Sequence, residues 1–149
     1  MTTTTSTSSD LRTRREAIVR AHMDAENRHD PAGTVQTFHA PRYDVPAMGE
    51  LGQAKGGQAV HDLIGSLFAG FPDWHAELTT PLLHAESAIF AEVRMTGTQR
   101  GEFAGIPPTG KPIDVRVATL FEFDEDRLLC ERVYFDFATV LRQLGVIPG

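Results

Sequence analysis

The sequence predicts an α+β domain in which N-terminal helices pack on one face of a curved, mostly antiparallel sheet. Three observations carry the prediction. Apolar residues recur at helical spacing through the first half of the chain, and after Pro72 they alternate with polar residues at strand spacing. The alternating runs are separated by short turns such as Asp124-Glu125-Asp126, which suit antiparallel neighbours.

The elements follow in order. Residues 1–9 are nearly all Thr and Ser, have almost nothing to bury, and are expected to be a mobile tail ahead of a single domain over residues 10–149. A helix capped by Ser9 or Asp10 then runs to about His29, with Leu11, Ile18, Met23 and Ala25 near one side. Asp30-Pro31 opens a second, short helix carrying Val35 and Phe38. A short strand is expected over residues 41–47 and a glycine-rich loop over 49–57. From Gln58, the spacing of Val60, Leu63, Ile64, Leu67 and Phe68 predicts an amphipathic helix ending near Gly70. Strands follow around Trp74 to Leu78, over 87–98, over 113–123 and over 128–135, with a closing helix over 137–144. The strand over 113–123 alternates most cleanly, placing Ile113, Val115, Val117, Thr119, Phe121 and Phe123 on one face.

Bulk properties mainly exclude. A chain of 149 residues buries a core without staples, and a formal charge of −6 disfavours nucleic acid and anionic membrane surfaces as partners. The one cysteine, Cys130, has no partner for a disulfide or a metal site and reads as a small strand hydrophobe. No apolar run approaches the ~20 residues of a membrane span, and the N-terminus lacks the pattern of a signal peptide, so a cytoplasmic location is expected. The six histidines never fall in a zinc spacing, and no metal site is expected. Residues 105–111 match part of a phosphate-binding loop. Pro107 and Pro108 remove amides that would hold the phosphate, and Pro112 stands where a magnesium-binding hydroxyl belongs.

Phe71-Pro72-Asp73, Gly97-Thr98, Gly101-Glu102-Phe103, Gly105-Ile106-Pro107-Pro108-Thr109-Gly110, and Tyr134-Phe135-Asp136 followed by Leu141-Arg142-Gln143-Leu144-Gly145 are the most specific motifs. Together they closely resemble the SnoaL-like polyketide cyclases of the nuclear-transport-factor-2-like superfamily, over about residues 17–145. The resemblance implies a cystatin-like α+β cone. It also implies a cofactor-free aldol-type ring closure on a small hydrophobic carbonyl compound, with Asp136 as general acid/base. An Asp held in an apolar pocket has its pKa raised by desolvation, which suits that role. The other reading of Asp136 is an N-cap of the closing helix, which would lower its pKa. The family's cyclases carry a histidine where this chain has Thr119, a residue that hydrogen bonds a carbonyl but carries no proton at neutral pH.

A substitute for that histidine lies in the first helix. Ile18, His22 and Glu26 are spaced by four and share a face, so His22 and Glu26 form a candidate dyad if that face reaches a cavity, and a solvent-facing or structural pair if it does not. Trp74, Phe103, Thr119, Phe121 and Tyr134 are candidate cavity-lining residues for substrate. Asp114 and Arg116 resemble, in reversed order, the Arg/Asp arrangement of limonene-type epoxide hydrolases, but lie opposite Thr119 on the strand and are expected to face solvent or an interface. Three functions remain open: a cyclase-type enzyme; an isomerase, dehydratase or epoxide hydrolase on the same cone; and a non-catalytic ligand-binding or assembly module. The outward sheet face carrying Ala118 and Leu120, and the habit of the superfamily, lead to an expected homodimer.

Overall fold

The computed structural model describes residues 4–149, with side-chain surroundings from residue 8 onward. Helix α1 spans Thr4–Asn27 and so begins ahead of the expected Ser9 or Asp10 cap. The Thr/Ser run from Thr4 onward forms its first turns instead of a separate tail, and residues 1–3 of that expected tail lie outside the described residues. Ser8, Ser9 and Asp10 are exposed, and the Thr13 hydroxyl donates to the Ser9 carbonyl. Helix α2, Pro31–Gln36, starts as its sequence predicts: the Asp30 carboxylate accepts the Gly33 N–H at 2.9 Å, and Pro31 occupies the first turn.

Strand β1, Arg42–Asp44, is followed by a 3-10 segment, Pro46–Gly52, and strand β2, Gln53–Lys55. The glycine-rich stretch expected to be a loop therefore carries a strand. Ala54 is buried and pairs with buried Tyr43, and that burial outweighs local composition. Gly49 (φ 58°) and Gly56 (φ 93°) supply the left-handed positions that turn the chain on either side.

Helix α3, Gly57–Gly70, buries Val60, Ile64 and Phe68. Strands β3 (His75–Leu78), β4 (Leu83–His84), β5 (Ala88–Thr98), β6 (Pro112–Asp124) and β7 (Arg127–Tyr134) lead to helix α4, Phe137–Gln143. The sheet order is β2-β1-β7-β6-β5-β3, with β4 also on β5; all pairs are antiparallel except β1 with β7. Every residue that the alternation assigns to the inner face of β6 is buried, from Ile113 to Phe123. Helix α1 turns Val19, His22, Ala25 and Glu26 inward. The result is an α+β cone with helices over a curved sheet. Among the described residues, no helix is long and apolar enough to cross a membrane.

Candidate active site

Three neighbouring strands present one row of side chains to α1. Glu131 on β7 pairs in register with Phe121 on β6 and with Tyr43 on β1, and paired residues share a face of the sheet. From the helix, His22 and Glu26, one turn apart, meet this row. The His22 Nε2 lies 2.5 Å from Glu131 Oε2 and 2.6 Å from Glu26 Oε1, and the Tyr43 hydroxyl donates to Glu26 Oε1 at 2.6 Å. On the other side of the ring, His22 Nδ1 is 2.7 Å from Thr37 Oγ1. That hydroxyl donates to the Thr34 carbonyl at 2.6 Å, so toward His22 it accepts, and Nδ1 carries a proton. The imidazole is fully buried and is edge-on to Phe38 and Phe121.

The electrostatics follow from one cation between two buried carboxylates. Burial pulls the His22 pKa down, but Glu131 and then Glu26 raise it more, to about 10, so the ring is an imidazolium at neutral pH. Burial and the nearby Glu26 push Glu131 up to about 7 against the pull of His22. Glu26 is held below the ordinary carboxylate value because His22 and the Tyr43 hydroxyl outweigh its burial. Burial, and then the two carboxylates, raise the Tyr43 phenol well above its ordinary value. Near pH 7 the cluster thus keeps an imidazolium, a carboxylate and a second carboxyl poised between its two forms.

Glu26, Tyr43 and Glu131 open onto a cavity of about 560 Å³ whose walls are mainly apolar, including Met23, Ile64, Phe68, Val93 and Val133. Trp74, Phe103, Thr119 and Phe121, all expected to line a cavity, do so. Tyr134 does not: it is 47% exposed, because on β7 it alternates with Val133 and Phe135, which take the cavity side. Asp136 is also away from the cavity lining. Its exposed carboxylate accepts the Ala138 N–H at 3.0 Å and the Thr139 hydroxyl at 2.7 Å as the N-cap of α4. The Thr139 hydrogen bond, followed by the backbone amides, lowers its pKa, opposite to the direction an apolar pocket would impose. Asp114 is exposed and paired with Arg94, and Arg116 with Glu92, as the alternation predicts for the outer face.

His22, Glu26 and Glu131 also offer three metal-ligating atoms within 4.8 Å of one another. Separations of 2.5 and 2.6 Å around Nε2 are hydrogen-bond lengths, whereas ligands about 2.0–2.1 Å from a common ion stand roughly 3 Å or more apart. The arrangement fits a shared proton better than an ion.

Against known families, the model of the SnoaL-like polyketide cyclases matches residues 16–144. The chain belongs to that family. Among solved structures, this SnoaL-like chain is similar to IdmH from Streptomyces antibioticus, a proposed polyketide cyclase, at 22% identity and a TM-score of 0.69, covering 88% of this chain and 98% of that one. It is also similar to a Catenulispora acidiphila protein of ketosteroid isomerase-like fold, in complex with trimethylamine, at 22% identity and a TM-score of 0.73, covering 86% and 92%. An NTF2-like protein from Burkholderia thailandensis aligns at 21% identity and a TM-score of 0.70, covering 86% and 95%. These likenesses establish a shared fold. No curated protein matches this chain.

Sequence reasoning missed Glu131, Tyr43 and Thr37 in this SnoaL-like site. The signal for Glu131 was present. It shares parity with Val133 and Phe135 on the last strand, and a carboxylate at an inward position of an apolar strand requires a partner.

Proposed function

We propose that this protein is a cofactor-independent acid/base enzyme acting on a small hydrophobic carbonyl compound, with the His22, Glu26 and Glu131 cluster as its proton-transfer machinery. The observation that carries the reading is a poised carboxyl, Glu131, at the wall of an apolar cavity with an imidazolium fixed behind it. A group whose pKa sits near the working pH both accepts and returns a proton, as enolisation, isomerisation and aldol ring closure require. In this reading Glu131 takes the proton next to the substrate carbonyl. Glu26, which accepts from Tyr43, and His22 hold Glu131 in place, and Thr119 donates to the carbonyl oxygen, where the negative charge of the enolate develops. Family membership supports the cyclase or isomerase class. The position of Asp136 on the surface supports moving the acid/base role from Asp136 to Glu131.

The test is exchange of α-protons in heavy water, followed by proton NMR over a panel of apolar ketones and β-keto esters. Wild-type protein is expected to accelerate exchange on some member of the panel. Glu131→Gln is expected to lower that rate by about 10²–10⁴-fold, while Asp136→Asn leaves it within about twofold. The opposite pattern would return the role to Asp136.

The same reading includes pairing of two copies through the outward sheet face, where Ala118 and Leu120 are only half-buried and Tyr134 is exposed. Sedimentation velocity is expected to give a dimer that Leu120→Glu weakens, and a monomeric wild type would remove this part.

A further inference from the structure

The ionisable groups lining the cavity are of one sign. They are Glu26 and Glu131 inside and Glu102 at the exposed rim, together with the Tyr43 phenol; among the described residues, no Lys, Arg or His lines it. The cation nearest them, His22, lies behind the lining and already spans both inner carboxylates. One imidazolium against two carboxylates leaves a negative charge without a protein counter-ion, in a place that solvent screens poorly. Such a charge is costly to keep, and the cluster meets that cost either by holding a proton or by holding a cationic ligand. Phe68, Trp74, Phe103 and Phe121 provide the aromatic lining that favours a weakly hydrated cation.

We propose that the cavity is a receptor for lipophilic cations, molecules with an apolar body and a quaternary or protonated tertiary amine whose positive end replaces the proton beside Glu131. Only the charge and shape of the cavity are needed for this, not turnover. The groups facing Glu131 are His22 and Glu26 from α1 and Tyr43 from β1, with the uncharged Phe121 opposite on β6. Because Glu131 keeps its proton up to about pH 7, cation binding releases that proton. Affinity should therefore be flat above that pH and fall by up to about tenfold per unit below it.

Trp74, the chain's single tryptophan, lines the cavity and reports binding through its fluorescence. The probes are phenyltrimethylammonium, its uncharged isostere tert-butylbenzene, and benzoate. At pH 8 the cation is expected to bind at least about tenfold more tightly than the isostere, the lead is expected to shrink about tenfold at pH 6, and benzoate is expected not to bind. In Glu131→Gln the preference for the cation should vanish while tert-butylbenzene still quenches Trp74, which also establishes that the variant keeps its cavity. Equal affinities for the two isosteres in the wild type at pH 8, or a cation preference that survives Glu131→Gln, would overturn the proposal. If the variant does not fold, the wild-type comparison at the two pH values decides alone. A protein that exchanges ketone protons yet shows no preference for the cation would keep the catalytic reading and lose this one, and the converse result would keep only this one.

Discussion

Glu131 and Asp136 lie close together in the chain, yet their surroundings pull their proton affinities in opposite directions. Burial beside Glu26 holds the proton on Glu131, whereas a hydroxyl and backbone amides hold the charge on Asp136. Asp136→Ala is therefore expected to lower the melting temperature modestly by uncapping α4, with proton exchange unchanged; a loss of exchange with unchanged melting would contradict the placement. Thr37 acts on the cluster from behind. Thr37→Val leaves the buried His22 Nδ1–H without an acceptor and is expected to cost about 1–3 kcal/mol in urea denaturation, with Thr37→Ser restoring most of it. At this scale the sequence was half legible. The i, i+4 spacing of His22 and Glu26 was enough to place them together on one face of α1, but not to say whether that face is buried. Glu131 and Tyr43 reach the same place only through strand register, and register is set by long-range pairing that no local spacing records.

The elements were legible where one face is buried, because alternation and helical spacing are direct consequences of that burial. Strand β6 is the clearest case, with each inward residue read correctly from its parity. The glycine-rich stretch before α3 was not legible, since β2 exists only because β1 is there to pair with it. The motifs that carry the family likeness turn out to be architectural. The Gln99 side chain donates to the Ile106 carbonyl and accepts from the Thr109 amide and hydroxyl, pinning the Gly-Ile-Pro-Pro-Thr-Gly loop. Gly101 sits against the end of α3, where an added Cβ would stand 2.4 Å from the Ala69 carbonyl oxygen, a backbone atom. Gly101→Ala is thus expected to destabilise by about 1–3 kcal/mol and to disturb the rim formed by Glu102 and Phe103, read as a lower denaturation midpoint together with altered Trp74 fluorescence. A substitution at Gly65, where the added Cβ meets nothing within 4 Å, serves as the control.

For the molecule as a whole, the cluster makes stability depend on pH in a direction that an acidic chain does not advertise. His22 holds its proton to about pH 10 in the fold against an ordinary value of 6.5, so its stabilisation is complete below 6.5 and drains away as the pH rises toward 10. Glu131 holds its proton to about 7 against an ordinary 4.5, so its share is complete below 4.5 and is lost between 4.5 and 7. Glu26 has the opposite sign: its lowered pKa gives stability present above 4.5 that is lost as the pH falls through the folded value. Asp73, Asp114 and Asp136 share that sign at the acid end. The native state therefore binds more protons than the unfolded chain over the whole range from about pH 5 to 9, and the urea midpoint is expected to be highest near pH 5 and to decline at pH 7 and again at pH 9. Glu131→Gln removes the titrating carboxyl and should flatten the step between pH 5 and 7. A midpoint that rises from pH 5 to 9 in the wild type would mean that the buried cluster does not hold its surplus proton, and the acid/base reading would lose its physical basis with it.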